Sequence, residues 1–179
     1  MSSLTRRTAL GGSAGLLLAA CAFEDEPPSG PRPAAGTGLL NSLLVLEHTA
    51  VAVYDAAARL SRGAALRYAR SIGRQEREHV RLLERLIRDR GGASARSRTP
   101  DEYARSFPRL ADQADALRFA ADLEEQLVRA YLQALPKLSD PELRRATAEI
   151  GAAESGHLAV VHVLRGEPAA PQPFVTGTL

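Results

Sequence analysis

Two short stretches of the chain, RQEREHVRLLERL and GAAESGHLAVVHVL, each place a histidine three residues after a glutamate. The pairs are Glu76 with His79 and Glu154 with His157, and they use two of the four histidines of the chain. In a helix, residues three apart lie on the same face. A carboxylate and an imidazole on one face can together bind a metal ion. Their chemistry therefore depends on which face they occupy and on the side chains that share it.

Apolar residues at three- and four-residue spacing predict four helices, each with one buried stripe. The helices cover residues 38–61, 64–90, 112–135 and 141–166. A chain dominated by Ala, Leu and Arg, with only 4% aromatic residues, agrees with an all-α fold. The links between the first two and the last two helices are short, whereas residues 91–111 separate the second from the third. This connectivity predicts a four-helix bundle with one long crossover between helices 2 and 3.

Each predicted stripe includes one acid among its apolar residues: Glu47, Glu76, Glu124 and Glu154. The two halves of the chain repeat this arrangement. Tyr54 follows the first acid by seven residues, and Tyr131 follows the third acid by seven. The acids within each half are 29 and 30 residues apart, and the second acid of each half carries the histidine. The pattern indicates a duplicated helical hairpin that brings four acids to one level of the core.

Four buried carboxylates at one level need compensation, because an uncompensated buried ion costs several kcal/mol. Either the acids hold protons with raised pKa values, or cations neutralise them. Two divalent ions supply the four charges that four glutamates require, and two imidazoles add nitrogen ligands. Oxygen-rich ligands with one histidine per metal favour iron or manganese. The residues therefore predict two iron and/or manganese ions, with a metal-free bundle as the alternative.

The stretches LEHTAVAVY, QEREH, LEEQLVRAY and AAESGH give residues 38–165 a resemblance to the ferritin-like superfamily, near rubrerythrin-type domains and small exported bacterial ferritin-like proteins. The resemblance implies a carboxylate-bridged di-metal site. Glu47 and Glu124 resemble terminal or bridging ligands, and the two Glu-x-x-His pairs resemble the paired ligand sets. Tyr54 and Tyr131 match tyrosines that lie near the metals in several members of the superfamily. The implied metal ligands are Glu47, Glu76, His79, Glu124, Glu154 and His157.

Metal-centred reaction with O2 or peroxide is the activity that the resemblance implies, of a ferroxidase, peroxidase or catalase type. The Cys-x-x-Cys module of rubrerythrin-type peroxidases is absent from the sequence, so such an enzyme would need a separate electron donor. Nothing resembles the fifth helix of cage ferritins, so an iron-storing shell is not expected. The alternative is a non-enzymatic metal-binding or structural lipoprotein that acts as a scaffold or partner subunit. A homodimer is left open.

The first 20 residues resemble an export signal. Arg6 and Arg7 precede an apolar run that is too short to span a bilayer, as in Tat signals. Residues 18–21, Leu-Ala-Ala-Cys, resemble a bacterial lipobox, which would leave Cys21 as a lipid-bearing N-terminus. An ordinary signal peptide with an incidental cysteine is the alternative. The resemblance implies a protein anchored to a membrane through Cys21, on its periplasmic or extracytoplasmic face.

The segments on either side of the predicted bundle are rich in Pro and Gly. We expect residues 21–37 to form a tether and residues 166–179 to form an irregular tail. The formal net charge of the whole chain is +2, and loss of residues 1–20 removes Arg6 and Arg7 and no acid. The remaining chain is then formally neutral, so its charge gives no support for a nucleic-acid partner.

Overall fold

Four long helices and one short helix make up the fold. The computed structural model describes residues 34–173, and within that range no strand occurs. The helices are α1 (Thr37–Leu60), α2 (Gly63–Arg88), α3 (Pro100–Ser106), α4 (Gln113–Ala134) and α5 (Pro141–Leu164). A 3-10 turn, Leu135–Lys137, follows α4. The all-α class is confirmed, and each end of the four predicted helices lies within two residues of an end of α1, α2, α4 or α5.

The four long helices form a bundle in which α1 packs against α2 and α4, and α5 packs against the same two helices. Tyr54 contacts Glu124 while Tyr131 contacts Glu47, so α1 and α4 run antiparallel. A two-residue link makes α1 and α2 antiparallel as well, which leaves α2 and α4 parallel. A helix of this length spans roughly 36 Å. The crossover must return the chain along the whole bundle, which explains its length.

The crossover contains the short helix α3, which was not predicted from the sequence. Thr99 caps α3: its side chain accepts a hydrogen bond from the backbone N–H of Glu102, and the Glu102 carboxylate accepts one from the backbone N–H of Thr99. Pro100 occupies the first turn, where its missing N–H costs nothing. Before α3, the crossover contacts α1: the side chain of Asn41 donates a hydrogen bond to the carbonyl of Ala93 and accepts one from the N–H of Ala95. These contacts hold the crossover along α1.

The core is apolar on both sides of a central polar layer. In α1, Leu40, Leu43 and Leu44 are buried before Glu47, and Ala50 and Val53 are buried after it. The other three long helices repeat this order around their own glutamates. The polar layer is therefore enclosed by apolar side chains towards both ends of the bundle.

The segments beyond the bundle are described only in part. Residues 165–173 follow α5 without a further helix. The predicted signal at 1–20, Cys21 and most of the predicted tether at 21–37 lie outside the described residues, as does the end of the tail. Within residues 34–173, no helix is both long and apolar enough to cross a membrane.

Candidate metal centre

All six predicted metal-ligand residues meet in the central polar layer. Each of the four long helices contributes one glutamate, and the exposed fraction of all four is 0%. The side chain of His157 is 6% exposed, and that of His79 is 13% exposed. The layer comprises Glu47 from α1, Glu76 and His79 from α2, Glu124 from α4, and Glu154 and His157 from α5.

The layer divides into two overlapping groups, each of which offers four ligand atoms within 4.8 Å of one another. The first group is Glu47, Glu76, His79 and Glu154, and the second is Glu76, Glu124, Glu154 and His157. Glu76 and Glu154 belong to both groups, so they lie where bridging carboxylates would lie. Glu47 and Glu124 each belong to one group. For a bound metal, this geometry would favour the terminal role for these two, which the sequence had left open between terminal and bridging.

Both histidines turn Nδ1 towards the carboxylates. Nδ1 of His79 lies 2.8 Å from Oε1 of Glu154 and 3.2 Å from Oε2 of Glu76. Nδ1 of His157 lies 2.9 Å from Oε1 of Glu76 and 3.0 Å from Oε2 of Glu154. The two imidazole rings are stacked with their centroids 5.9 Å apart. Nδ1 is thus the ligand atom that each histidine would offer to a metal.

Four carboxylate oxygens in this layer, one from each glutamate, are fully buried and lack a partner of good hydrogen-bond geometry: Oε2 of Glu47, Oε1 of Glu76, Oε2 of Glu124 and Oε1 of Glu154. Three of them lie within 3.4 Å of a histidine Nδ1, but each Nδ1 carries at most one hydrogen. A buried polar atom without a hydrogen bond costs on the order of 1–3 kcal/mol, so the oxygens that receive no hydrogen need an explanation. Metal coordination would satisfy all four atoms. The charge of four carboxylates also equals that of two divalent cations. The donor set fits two such ions.

Comparison with known proteins agrees with this architecture. Residues 36–167, which include all four long helices and all six candidate ligands, match the family described as "Ferritin-like domain". The chain belongs to the ferritin-like domain family. No curated protein sequence matches this ferritin-like chain.

Two solved structures resemble the ferritin-like domain. One is a conserved hypothetical protein, rv2844, from Mycobacterium tuberculosis, with a TM-score of 0.65 and 14% identity over 73% of this chain and 98% of that chain. The other is the hypothetical protein MJ0754 from Methanococcus jannaschii, with a TM-score of 0.65 and 13% identity over 86% of this chain and 98% of that chain. At these identities the likeness establishes the fold alone.

In the metal-free ferritin-like domain, protons compensate the buried charges. Burial raises the pKa of Glu47 and of Glu124 well above the ordinary value. Burial lowers the pKa of His79, but the carboxylates of Glu154, Glu47 and Glu76 beside its Nδ1 outweigh burial and raise the pKa to about 12. Carboxylates raise the pKa of His157 to about 9 in the same way. Burial raises the pKa of Glu76, but the imidazoles of His157 and His79 beside its two oxygens bring it down to about 2. Protonation and metal binding are thus alternative ways to neutralise the same layer.

Metal binding at neutral pH should therefore release protons. His79 and His157, with pKa values of about 12 and 9, hold protons at pH 7, and a metal ligand must be the neutral imidazole. We expect at least about two protons per chain to be released, and the apparent affinity to rise with pH up to and beyond about 9, because His79 still holds its proton there. Adding Mn(II) to the domain in weak buffer with a pH indicator measures the release. Saturating binding without proton release would contradict the prediction.

Tyr54 and Tyr131, the two tyrosines predicted to lie near the metals, each contact a glutamate of the opposite hairpin. The hydroxyl of Tyr54 donates to Oε1 of Glu124, and the hydroxyl of Tyr131 donates to Oε1 of Glu47. Burial and the charge of the contacted glutamate raise the pKa of both tyrosines, which keeps them neutral donors. Each tyrosine thus holds one oxygen of a glutamate and leaves the other oxygen turned into the layer.

Two glycines beside these tyrosines were missed in the sequence. A Cβ on Gly73 would lie 3.2 Å from Cβ of Tyr54, and a Cβ on Gly151 would lie 3.0 Å from Cβ of Tyr131. The absence of a side chain lets α2 and α5 approach the tyrosines closely. The signal was present in the sequence, because IGRQEREH and IGAAESGH share the pattern Ile-Gly-x-x-Glu-x-x-His.

Proposed function

We propose that the ferritin-like domain binds two iron and/or manganese ions in its central polar layer. The observation that carries the proposal is the set of four buried carboxylate oxygens, one from each long helix, of which the two histidine Nδ1 atoms can supply a hydrogen to at most two. Glu76 and Glu154 would bridge the ions, Glu47 and Glu124 would each bind one, and both histidines would bind through Nδ1. Hard oxygen donors and the lack of thiolate ligands in the layer favour iron or manganese over softer metals.

The activity that we propose is that of an oxidoreductase acting on O2 or peroxide, of a ferroxidase, peroxidase or catalase type. When bound, the ions supply the redox and Lewis-acid chemistry for these small substrates. The protein residues have two tasks. The apolar layers on either side exclude water, and Tyr54 and Tyr131 orient the two terminal carboxylates. His79 lies at the more exposed side of the layer. A rubrerythrin-type reaction would draw its electrons from a separate donor.

A non-enzymatic role remains the second candidate, because the metal-free layer is already compensated. The raised pKa values of His79 and His157 give two positive charges beside Glu76. This charge compensation is sufficient for a metal-binding or structural protein that acts as a scaffold or partner subunit. Turnover separates the two functions. An enzyme consumes Fe(II) with O2, or consumes H2O2, far beyond its own metal content, whereas consumption that stops at about two equivalents favours the non-enzymatic role.

For the location of the protein we propose export and lipid attachment at Cys21, on the basis of Arg6, Arg7 and the Leu-Ala-Ala-Cys stretch. Replacing Arg6 and Arg7 with Lys should leave the precursor in the cytoplasm, because Tat export requires the arginine pair. Cys21→Ala should abolish labelling of the protein by a fatty-acid probe in cells. Export that is unchanged after the arginine replacement would indicate the Sec route, and persistent labelling would exclude Cys21 as the lipid site.

A further inference from the structure

The two histidines of the polar layer differ in what contacts their outer nitrogen. Nε2 of His157 lies 3.0 Å from Oε1 of Gln75, which comes from α2 on the opposite hairpin. Within residues 34–173, no side chain or carbonyl forms a hydrogen bond with Nε2 of His79. The layer therefore has an outer partner on one side only.

The repeat explains this difference. Glu76 and Glu154 are equivalent positions 78 residues apart, and so are His79 and His157. The equivalent of Gln75 is therefore Ala153, whose methyl group cannot accept a hydrogen bond. The side chain of His79 is also more exposed than that of His157, at 13% against 6%. The two equivalent positions thus carry different residues, and only the outer nitrogen of His157 has a side-chain partner.

An acceptor on the outer nitrogen matters for metal binding through the inner one. When Nε2 donates its hydrogen to Gln75, Nδ1 is left with the lone pair that a metal needs, and the ring is held in orientation. The opposite amide orientation would place a donor against Nε2 and force the hydrogen onto Nδ1. Loss of such an outer partner typically weakens metal binding by about 10–100-fold.

We propose that the two metal positions are unequal and that Gln75 is the positioning residue that makes them so. The position formed with His157 and Glu124 binds its ion tightly, and the position formed with His79 and Glu47 binds weakly, exchanges quickly and faces solvent. Incoming metal and small exogenous ligands reach the layer from the His79 side. This inference rests on the proposed function, since it assumes that the layer binds two ions.

Titration of the purified full chain with Mn(II), with free Mn(II) read from its EPR signal, tests the inference. The wild type should bind in two separate steps. Gln75→Ala should raise the dissociation constant of the tighter step by about 10–100-fold, so that the two steps have similar affinities. Gln75→Glu keeps a hydrogen-bond acceptor at this position, so it should bind Mn(II) in two separate steps as the wild type does. Ala153→Gln should strengthen the weak step, whereas Ala152→Gln, at the exposed neighbouring position on α5, should change neither.

The outcomes separate this inference from the proposed function. Two equal steps in the wild type, or a tight step that Gln75→Ala leaves unchanged, would overturn the inference and leave the di-metal site standing. No Mn(II) or Fe(II) binding by the wild type would overturn both. Thermal unfolding of each variant without metal is the control for folding. Because Gln75 is exposed, Gln75→Ala should unfold at the wild-type temperature.

Discussion

Glu76→Ala should abolish the stabilisation of the domain by metal. Glu76 belongs to both ligand groups, so its loss removes one carboxylate from each metal position at once. Metal that binds only the folded chain stabilises it by about 2.7 kcal/mol at a hundredfold excess over its dissociation constant. In the wild type, the midpoint of thermal unfolding should therefore rise with Mn(II) or Fe(II). In Glu76→Ala this rise should be lost.

The same substitution should also destabilise the metal-free domain. Considered only as a buried acid among three others, Glu76 would be expected to weaken the fold, and its removal to strengthen it. The structure indicates the opposite, because Nδ1 of His79 and Nδ1 of His157 lie 3.2 Å and 2.9 Å from its oxygens. Removing one partner of a buried ion pair costs on the order of 3 kcal/mol.

Glu84→Ala is the matched control on the same helix. The side chain of Glu84 is 33% exposed, and it forms an ion pair with Arg88 at 3.9 Å. Its removal should change neither the metal-free midpoint nor the metal-dependent rise by much, since exposed pairs contribute little. If Glu84→Ala and Glu76→Ala behave alike across a series of metal concentrations, the polar layer is not the metal site.

Glu124→Gln should separate metal binding from folding. The amide keeps the size of the side chain and can still accept the hydrogen bond of Tyr54. It lacks the negative charge of a carboxylate. The affinity for metal at the position formed with His157 should therefore fall by more than the roughly 10–100-fold that follows the loss of a ligand's hydrogen-bond partner. Asp122→Asn, on the exposed side of α4, is the control and should bind metal as the wild type does.

Without metal, Glu124→Gln should unfold at a higher temperature than the wild type at neutral pH. Burial, with the charges of Glu154 and Glu76, raises the pKa of Glu124 above its ordinary value of 4.5. The unfolded chain therefore loses this proton at a lower pH than the folded chain, and the acid costs stability as the pH rises above 4.5. The advantage of the variant should shrink towards zero as the pH falls to 4.5. A metal-free variant that is less stable than the wild type at pH 7 would contradict this account.

Most of the fold could be predicted from the sequence because the long helices carry a strong apolar period. Helix α3 was missed, since seven residues are too few to show that period. Its signal is local instead, in the Thr99–Glu102 capping box and Pro100. The crossover could be predicted from its length alone, but its course along α1 depends on contacts of Asn41 that no sequence pattern shows.

The residues of the candidate site could be predicted, but their arrangement could not. Position on the buried stripes was enough to single out the four glutamates and two histidines. Which glutamates are shared between the two groups depends on distances between helices that are remote in sequence. Gln75 was passed over for a related reason: it is exposed and next to Glu76, so only the folded chain shows that it reaches His157 on another helix.

Metal analysis of the purified chain tests the central claim most directly. After anaerobic loading with Fe(II) or Mn(II) and removal of unbound metal, the wild type should retain about two ions per chain. Glu84→Ala should retain the same number, and Glu76→Ala should retain close to none. A wild-type content near zero, or equal content in the wild type and Glu76→Ala, would contradict the account.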